Sequence, residues 1–479
     1  MSEVKPQGID RRTLMQRVGL TALIAGPGIS VLSACATSSN SGTSGTSGAV
    51  TYSKDPKNPF GVKASNPLDV VIFNGGYKDL YATQSHEPLY IKNFPGAKIK
   101  HEPIVEINTA LQPRFNSSTN IPDVVDNSGT ALMDDGALVT AGQMLDLTKF
   151  WASPSVDDPN TTIKDSVLAG TVEAGIVAGK PYLMNYVATT YGLWYNQTLF
   201  DKHGWTPPKT FVEFKALCDK IKAAGITPFG YAGKNAMYYM YWLIEMSAAK
   251  LGGNQVLIDI DNLKAGAWTA DPVKKAATAW AEICQKYSDK SFLGLKHTQV
   301  QTLQDQDKVA FYPSGDWLEN EMKGVPAADF KYTICPLPDI GGEQMAYPAI
   351  RIAPGEPFFV AAKGKNPAGG LEYFRLMLSK EGAQGFFQKA GGISVVKGAL
   401  DGLQLSPGAT SVVAAQKAAG SNNITYNQFE TWYKALETEL RTQTNKLCYG
   451  GGTADAFCTA MQAAADKTKA DSTITKQTR

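Results

Sequence analysis

The first part of the chain after residue 58 alternates short apolar runs with amphipathic stretches. The apolar runs have the length and composition of buried strands, and they lie at Asp69–Phe73, Ala97–His101 and Asp123–Asp126. Helical periodicity fills the gaps between them, at Ala82–Phe94 and Thr109–Phe115. This strand–helix–strand rhythm predicts an α/β fold with a mainly parallel sheet.

The remainder of the chain is richer in helical pattern. An extended apolar stretch covers Pro181–Trp194, in which Trp194 is predicted to be a core residue. Further helices are predicted at Phe211–Ala224 (with Thr210 as N-cap), Tyr238–Leu251, Ala276–Tyr287, Pro367–Lys389, Tyr426–Lys446 and Ala454–Thr468. Further strands are predicted at Lys308–Tyr312, Tyr332–Pro336 and Glu356–Ala362.

One strand-to-helix turn, in the stretch VVIFNGGYKDLYATQ from Val70 to Gln84, has the composition of a ligand-binding loop. It contains neither GxxxxGK[ST] nor GxGxxG, and no Ser or Thr follows Lys78, so a phosphate loop is excluded. The glycines supply backbone freedom and close approach. The turn is predicted to form one wall of a ligand cleft, with Tyr77 at its tip.

The length of the chain indicates how many lobes it forms, and its net charge limits the partners that it can bind. A chain of 479 residues exceeds one ordinary core, so two lobes are expected. The formal net charge is +2, and without the four basic and two acidic residues of the first seventeen, 42 of each sign remain. A neutral body argues against nucleic acid as a partner, because backbone binding needs a basic face.

The N-terminus has the layout of an export signal. Arg11-Arg12 precede an apolar stretch, Val18–Leu32, which runs into Leu32-Ser33-Ala34-Cys35. Residues 1–35 therefore resemble a lipoprotein signal peptide in which Cys35 becomes the acylated N-terminus; a plain secretory signal is the alternative, and the twin-arginine and Sec routes both remain open. A Ser/Gly/Thr-rich tether, residues 36–58, follows. We expect a soluble body held by lipid at the extracellular face of the cytoplasmic membrane.

Cysteine and histidine spacing gives no metal signature. Five cysteines remain after Cys35, none in a CxxC pair, and the four histidines do not cluster with them, so no metal or other cofactor is predicted. Cys448 and Cys458 flank three glycines and could form a disulfide; the odd count leaves at least one free thiol within a monomer.

Catalytic signatures are absent from the sequence. There is no GxSxG elbow and no HExxH, and the start of a calcium loop at Asp259 lacks the later ligands. No catalytic residue is predicted. Carboxylates are numerous, and most of them are expected to be solvated surface charges; examples are Asp305, Asp307, Asp316, Glu319, Glu321 and Glu356.

Aromatic residues are numerous, with 8 Trp, 20 Tyr and 19 Phe. Most are expected in the core, but several lie in polar, glycine-rich company, as in GYAG from Gly230 and SGDW from Ser314. Aromatic plates and planar polar groups suit a sugar ring, which has an apolar face and a hydroxyl rim.

Several motifs, in order, resemble one family. They are NPFGV from Asn58, VIFNGGY, PDVVDNS from Pro122, YGLWYN from Tyr191, FYPSGDW from Phe311 and SKEGA from Ser379. Together they resemble the extracellular carbohydrate-binding proteins of ABC importers, above all the actinobacterial N-acetylglucosamine/diacetylchitobiose-binding lipoproteins, over nearly all of residues 58–470. The sequence departs from that type at Asn74, where lysine is common, so the identity of the sugar stays open.

The resemblance implies an α/β, two-lobed periplasmic-binding-protein-like clamp with a hinge between the lobes. Lobe 1 would comprise residues 59–186 and 360–392, lobe 2 residues 187–359 and 393–470, and a C-terminal tail residues 471–479. The chain would cross between lobes near 186–191, near 358–362 and after residue 392. Sugar would bind between lobes, and the closed form would dock on ABC permease subunits as a monomer.

The resemblance also implies positions for the ligand site. The stacking tryptophans fall on Trp317 and Trp432, with Tyr239 and Trp242 on a helix. The remaining ligand contacts fall on Asn74, Gly76, Tyr77, Asp126, Asn127, Ser128, Thr189, Arg351 and Glu356; the last two could instead pair with each other. The implied function is non-enzymatic delivery of an amino sugar or oligosaccharide to a permease. An exported glycan hydrolase and a sensor or adhesin with the same clamp are the alternatives.

Overall fold

The structure is a computed structural model that describes residues 50–479, apart from residues 54, 130, 169, 421 and 422. These residues fall within one compact unit. The predicted signal peptide, the predicted lipidation site Cys35 and residues 36–49 of the predicted tether lie outside the described residues. Within the part of the chain described, no helix combines the length and apolarity needed to cross a bilayer.

The strands in chain order are β1 (Leu68–Phe73), β2 (Ile99–Ile104), β3 (Val124–Asp126), β4 (Ile176–Val177), β5 (Lys180–Pro181), β6 (Met184–Asn196), β7 (Thr227–Phe229), β8 (Val309–Gly315), β9 (Tyr332–Cys335), β10 (Ile350–Val360) and β11 (Asn423–Ile424).

The α-helices are α1 (Glu87–Asn93), α2 (Ile107–Ser117), α3 (Asp135–Thr140), α4 (Thr148–Trp151), α5 (Ile163–Ser166), α6 (Thr171–Ala174), α7 (Gln197–His203), α8 (Phe211–Ala223), α9 (Tyr238–Gly252), α10 (Gln255–Asp261), α11 (Asp271–Tyr287), α12 (His297–Asp305), α13 (Leu318–Glu321), α14 (Pro367–Met377), α15 (Lys380–Ala390), α16 (Pro407–Ala419), α17 (Phe429–Trp432), α18 (Lys434–Cys448) and α19 (Ala454–Ala470). A π-helical turn, Ala82–His86, precedes α1, and a 3-10 turn, Lys290–Gly294, precedes α12.

One large sheet runs through the molecule in the order β2-β1-β3-β10-β6-β8-β7. The strands β2, β1 and β3 are parallel, as the strand–helix rhythm predicted. The two long strands at the centre are antiparallel to each other, and β10 is also antiparallel to β3. The short β11 pairs with β10, and β9 pairs with the end of β6.

The long strands β6 and β10 join the two halves of the sheet. The first half of β6 pairs with β10, whereas its second half, from Tyr191, pairs with β8 and β9. A third segment lies alongside: the Ala188 amide donates to Ile393 O at 2.8 Å, and the Val395 amide donates to Tyr186 O at 2.9 Å. Three stretches of chain therefore pass side by side between the halves. The residue boundaries of the two lobes stay a prediction.

Strand alternation divides the core between the two faces of the sheet. Val70 and Val124 face the larger cluster, whereas their neighbours Val71 and Val125 face a smaller cluster with Phe115 of α2. Successive side chains of a strand point to opposite faces, so strands covered on both sides read as unbroken apolar runs. The prediction that Trp194 belongs to the core is confirmed, since it is fully buried.

Helix boundaries follow local capping chemistry. Thr210 caps α8 in a capping box with Glu213, as the sequence predicted for its N-cap. The predicted single helix over Pro367–Lys389 is wrong, because Ser379 accepts from the Gly382 amide and starts a second helix there. The late helix predicted from Tyr426 is also displaced: α17 begins at Phe429, and the main helix begins at Lys434.

Two strand predictions were displaced along the chain. The second strand occupies Ile99–Ile104 rather than Ala97–His101, because the Ala97 amide closes a turn onto Phe94 O. The strand predicted at Glu356–Ala362 begins earlier, at Ile350, because that segment pairs with β6 and β11. As a result Arg351 lies inside the strand.

The cysteines in the described residues are all free thiols. The disulfide suggested for Cys448 and Cys458 is therefore not present in this structure. Cys448 instead contacts Cys284 of α11. Burial, and then this contact, raise the pKa of the Cys284 thiol. The residues next to the two cysteines are also in contact, because the Gln285 side chain donates a hydrogen bond to Leu447 O at 2.8 Å.

The end of the chain packs onto the body. Arg479 forms a 2.6 Å ion pair with the buried Asp261. Gln477 receives a hydrogen bond from the Tyr433 hydroxyl on its main-chain oxygen and from the Ala178 amide on its side chain.

Candidate functional site

The glycine turn after β1 is shaped by close contacts. A Cβ on Gly75 would lie 2.3 Å from the ring of Phe73, so a larger residue would require that ring to move. Gly76 has a φ of +44°, which favours glycine, and its carbonyl accepts from Asn320 Nδ2 at 3.1 Å. Asn74 is exposed, and its amide donates to Ile104 O. The turn thus approaches α13, which lies far away in sequence.

Tyr77 ties this turn to the end of β8. It is only 2% exposed, and its hydroxyl donates to Asp316 Oδ1 at 2.8 Å. The other oxygen of Asp316 accepts from the Thr190 amide of β6 at 3.4 Å. The expectation of a solvated surface carboxylate is wrong for Asp316, and for Asp305, because both are buried.

A second carboxylate lies at the end of β3. Asp126 accepts on one oxygen from the Tyr81 hydroxyl at 3.4 Å and from the Phe73 amide at 3.3 Å, and on the other from Ser128 Oγ. Ser128 also interacts with Glu356 of β10. Glu356 has a φ of +55°, which is rare for a residue with a side chain.

The three carboxyl groups share one electrostatic environment. Burial raises the pKa of Asp126 and of Asp316 to about 7. Burial, and then the charges of Asp126 and Asp316, raise the pKa of Glu356 well above its usual range. No lysine or arginine of the described chain forms an ion pair with any of the three. Within the described residues, the three carboxyl groups therefore form a cluster without an ion-paired cation.

Asn127 and Thr189 occupy different positions around this cluster. Asn127 is fully buried, and its amide group donates to Met133 O and Asp135 Oδ1, so both N–H donors are used within its own loop. Thr189 is half-buried on β6 opposite Ala353, and its hydroxyl lies against Gly355.

Aromatic side chains form a second group beside Asp316. The indole Nε1 of Trp317 donates to the Tyr239 hydroxyl at 3.0 Å, and the two rings stack with centroids 5.9 Å apart. The Trp317 ring folds back over Gly315, where a Cβ would lie 2.0 Å from it. Tyr191 of β6 lies between the two tryptophans, 6.2 Å from Trp317 and 5.0 Å from Trp242. Trp317 and Trp242 remain partly exposed, and Tyr239 is buried.

Arg351 extends the aromatic group through Trp242. The Arg351 guanidinium carbon lies 4.0 Å from the centre of the Trp242 ring. Trp242 Nε1 donates to both carboxylate oxygens of Glu430, at 2.9 and 3.1 Å. Arg351 and Glu356 do not pair with each other, which excludes one of the two roles that the sequence left open.

Trp432 stands apart from these contacts. It ends α17, is partly exposed, and its Nε1 donates to Ile176 O at 3.4 Å. Its position links α17 to the β4–β5 hairpin.

Most of the predicted residues converge on the middle of β6 and β10, in two groups. Asp126, Ser128, Glu356 and Tyr77 come together at one end, and Trp317, Tyr239, Trp242 and Arg351 at the other. The sequence did not predict that Asp316, Tyr191 and Glu430 belong to these two groups. A sequence signal existed for Asp316 alone, because it stands between Gly315 and Trp317 at a strand end.

The arrangement suits a flat ring with a polar rim. Partly exposed indoles offer an apolar face, and the carboxyl and guanidinium groups around them can exchange hydrogen bonds with hydroxyl or amide groups. Because Tyr77 and Asp316 meet from distant segments, the contact depends on how the halves of the sheet are held.

Comparisons with known proteins identify the family and the fold. Residues 77–384 match the profile of the family described as bacterial extracellular solute-binding protein. The chain is 34% identical to the diacetylchitobiose binding protein NgcE of Streptomyces coelicolor, over 99% of each chain. A solved chitin oligosaccharide binding protein superposes with a TM-score of 0.67 at 18% identity, covering 85% of this chain and all of that one. A solute-binding protein solved in complex with raffinose gives 0.64 at 20% identity, again covering 85% of this chain and all of that one.

Proposed function

Because the chain belongs to the bacterial extracellular solute-binding protein family, we propose that it captures a carbohydrate and delivers it to an ABC permease. In this proposal the carbohydrate binds between the aromatic group around Trp317 and the carboxyl cluster around Asp126. The protein's fold is the two-domain α/β fold of such proteins. The observation that carries the proposal is the partly exposed aromatic pair Trp317 and Trp242, both packed on Tyr191, next to the buried carboxyl group of Asp316 that bonds Tyr77.

The proposed ligand is an amino sugar or a short oligosaccharide of the chitin type. The relative that matches along its whole length is named for diacetylchitobiose, and one structural neighbour for chitin oligosaccharides. A cleft with both stacking surfaces and separated polar groups supports a ligand longer than one small polar molecule.

The proposed ligand contacts are the predicted residues that lie in or beside the two groups, together with the neighbours that bond to them. Asn127 is left out because its donors are used within its loop, and Asn74 and Trp432 remain peripheral candidates. The proposed set is Gly76, Tyr77, Asp126, Ser128, Thr189, Tyr239, Trp242, Trp317, Arg351 and Glu356, with Asp316, Tyr191 and Glu430 added.

Ligand capture would couple to a change between the halves of the sheet. Tyr77 and Asn320 join the glycine turn to the β8–α13 region through direct hydrogen bonds. A ligand that contacts both sides would favour the closed arrangement, and β6, β10 and the segment after residue 392 would flex as the hinge.

The finer points of the biological setting are also proposals. We propose that Cys35 carries a lipid anchor, that the protein acts as a monomer at the extracellular face of the cytoplasmic membrane, and that it performs no catalysis. The permease would dock only on the closed form.

A sugar panel tests the proposed function. The purified protein is melted in the presence of N-acetylglucosamine, N,N′-diacetylchitobiose, deacetylated chitobiose, cellobiose and raffinose. A ligand at one hundred times its Kd stabilises the folded state by about 2.7 kcal/mol, which raises Tm by several degrees. Sugar capture is refuted if no sugar shifts Tm and calorimetry detects no binding.

Import is tested separately from binding. A strain lacking the gene should lose uptake of the radiolabelled sugar that binds, and the restored gene should recover it. Unchanged uptake together with tight binding would instead indicate the sensor or adhesin alternative.

A further inference from the structure

The tail, residues 471–479, brings a cation to a buried carboxylate. Asp261, the last residue of α10, is fully buried, and no hydrogen-bond donor of the described chain is aligned with its Oδ2. The Nε of Arg479 lies 2.6 Å from that oxygen, and the Arg479 side chain is 21% exposed. Removing one partner of such a pair leaves a buried charge uncompensated, so Asp261 depends on Arg479.

Backbone and side-chain contacts hold Arg479 in this place. Its amide donates to Asn262 Oδ1 at 2.9 Å, and Asn262 Nδ2 donates back to Arg479 O at 2.9 Å. Its Nη2 donates to Tyr426 O at 2.6 Å, and its guanidinium carbon lies 5.7 Å from the centre of the Tyr426 ring. The tail is therefore docked on the body through partners that are distant in sequence.

Asp261 in turn holds the segment that starts α17. Its Oδ1 accepts from the amide of Gln428 at 2.7 Å and from the amide of Phe429 at 2.9 Å. The first N–H groups of a helix have no partner inside the helix, so an acceptor from elsewhere fixes where the helix begins. The place of α17 therefore depends on Asp261 and, through the ion pair, on Arg479.

One side chain of α17 supports the aromatic group of the candidate site. Glu430 accepts from Trp242 Nε1 at 2.9 Å and from the Tyr241 hydroxyl at 3.0 Å. The Trp242 ring packs 5.0 Å from the ring of Tyr191 and carries the Arg351 guanidinium at 4.0 Å. A shift of α17 would move Glu430 and release the indole that it holds.

The tail also contacts the residue that follows α17. The Gln477 amide donates to the Tyr433 hydroxyl at 2.7 Å, and the Gln477 side-chain oxygen accepts from the Ala178 amide in the β4–β5 hairpin at 3.1 Å. Trp432, at the end of α17, donates to Ile176 O of the same hairpin at 3.4 Å. Tail, hairpin and α17 thus meet at one place, and the tail reaches both ends of α17.

We propose that Arg479 is a positioning residue for the carbohydrate site, which acts through Asp261 on α17 and so keeps the Glu430–Trp242 pair in place. The inference rests on the proposed function, because it assigns a remote residue to the same site. It gives the tail, which the resemblance left outside both lobes, a part in ligand binding.

Four variants of the full chain test this role. Arg479→Gln removes the cation, Arg479→Lys keeps it, Asp261→Asn removes the anion, and a double variant combines Arg479→Gln with Asp261→Asn. Lys476→Gln is the matched control, because it removes a cation of the same tail whose Nζ donates to the tail carbonyls of Asp471 and Ile474. Calorimetry measures the affinity of each protein for N,N′-diacetylchitobiose and for the other sugars of the panel.

We expect Arg479→Gln to weaken the binding of every sugar that binds the wild-type protein by about fivefold or more. Arg479→Lys should stay within about twofold of the wild-type affinity, because the positive charge beside Asp261 is retained. Lys476→Gln should bind as the wild-type protein does. In the Asp261→Asn background Arg479→Gln should have little further effect, because the two residues act as one unit.

Hydrogen exchange in the absence of sugar tests the link to α17 directly. Exchange is followed by mass spectrometry over residues 426–433, which contain the two amides that donate to Asp261. These amides should exchange faster in Arg479→Gln than in the wild-type protein and in Lys476→Gln, whereas α8 should exchange equally in all three. Thermal melts establish that each variant is folded.

Four results would overturn the inference. They are wild-type affinity in Arg479→Gln, equal weakening in Arg479→Lys and Arg479→Gln, additive losses in the double variant, and unchanged exchange over residues 426–433. In each case sugar capture itself would stand. Failure of the wild-type protein to bind any sugar of the panel would refute the proposed function and, with it, the role of Arg479 in binding.

Discussion

The hydroxyl of Tyr77 donates to Asp316 at 2.8 Å, although the two residues lie 239 positions apart. The bond joins the glycine turn after β1 to the end of β8. The first prediction concerns this bond.

Tyr77→Phe removes one donor and leaves a buried carboxyl group short of a partner. We expect the free energy of unfolding to fall by about 1–2 kcal/mol, measured by urea denaturation, and ligand affinity to fall severalfold because the closed arrangement loses a contact. Tyr52→Phe, at a tyrosine that is 39% exposed, is the control. Equal stability of Tyr77→Phe and wild-type protein would contradict the predicted role of the bond.

Trp317→Ala removes the main exposed plate of the aromatic wall. A desolvated aromatic contact typically contributes about 2 kcal/mol or more to binding, so affinity for the best sugar should fall at least about thirtyfold in calorimetry. Trp205→Ala, at a surface tryptophan stacked on His203, should bind normally. Unchanged affinity in Trp317→Ala would show that the sugar binds elsewhere.

Gly315→Ala tests the orientation of the same ring without removing it. A Cβ at this position would lie 2.0 Å from the Trp317 ring, so the indole must move from its place over the strand. We expect weaker sugar binding and a changed tryptophan fluorescence spectrum. Gly294→Ala, where a Cβ meets nothing within 4 Å, is the matched control. Normal binding by Gly315→Ala would mean that the ring position is not critical.

The carboxyl cluster predicts a pH dependence of stability. The folded-state pKa of Asp126 and Asp316 is about 7, above the ordinary value of 3.8, so the folded protein holds protons that the unfolded chain releases. Their contribution to the free energy of unfolding therefore falls as pH rises from about 3.8 to about 7. Asp316→Asn should flatten this slope in urea titrations, whereas the exposed Asp466→Asn should not. An identical slope in Asp316→Asn would contradict the assigned pKa.

His101 predicts the opposite trend. Burial of its ring opposes protonation, but Glu87 at 2.5 Å and Asp79 at 3.2 Å outweigh that effect and raise the pKa of His101 above 6.5. Its stabilising contribution is fully present below pH 6.5 and is lost as pH rises through the folded-state pKa. His101→Gln should cost about 1 kcal/mol at pH 5.5 and little at pH 8.5, measured by urea denaturation. A cost independent of pH would show that the ring matters only for packing.

Local pattern was sufficient for much of the fold. The parallel strands of the first half, the cap at Thr210 and the burial of Trp194 follow from apolar runs and short-range hydrogen bonding, which the sequence displays directly. The wrong predictions concern places where one helix ends and the next begins. A serine inside an amphipathic run at Ser379 ends one helix and starts another, and periodicity alone does not show that break.

The candidate site was less accessible to such reasoning. The resemblance suggested Trp317, Tyr77 and Arg351, but Asp316 was expected to be a surface charge and Glu430 was not singled out. Their roles depend on partners far away in sequence, because Asp316 bonds Tyr77 and Glu430 holds Trp242. Charge counts and spacing along a chain carry no information about which distant groups desolvate one another.

The sequence by itself determined the α/β class, the neutral body, the resemblance to sugar-binding clamps and the glycine turn. Its apolar periodicity and turn residues act over a few positions, so they can be read without the fold. Tertiary structure decided which side chains face each other across β6 and β10. It buried Asp126 and Asp316 without an ion-paired cation among the described residues, placed the Arg351 guanidinium over Trp242, and used the donors of Asn127 within its own loop. These outcomes depend on packing between segments up to 239 residues apart, where burial and hydrogen bonding, rather than local preference, fix the energy of each group.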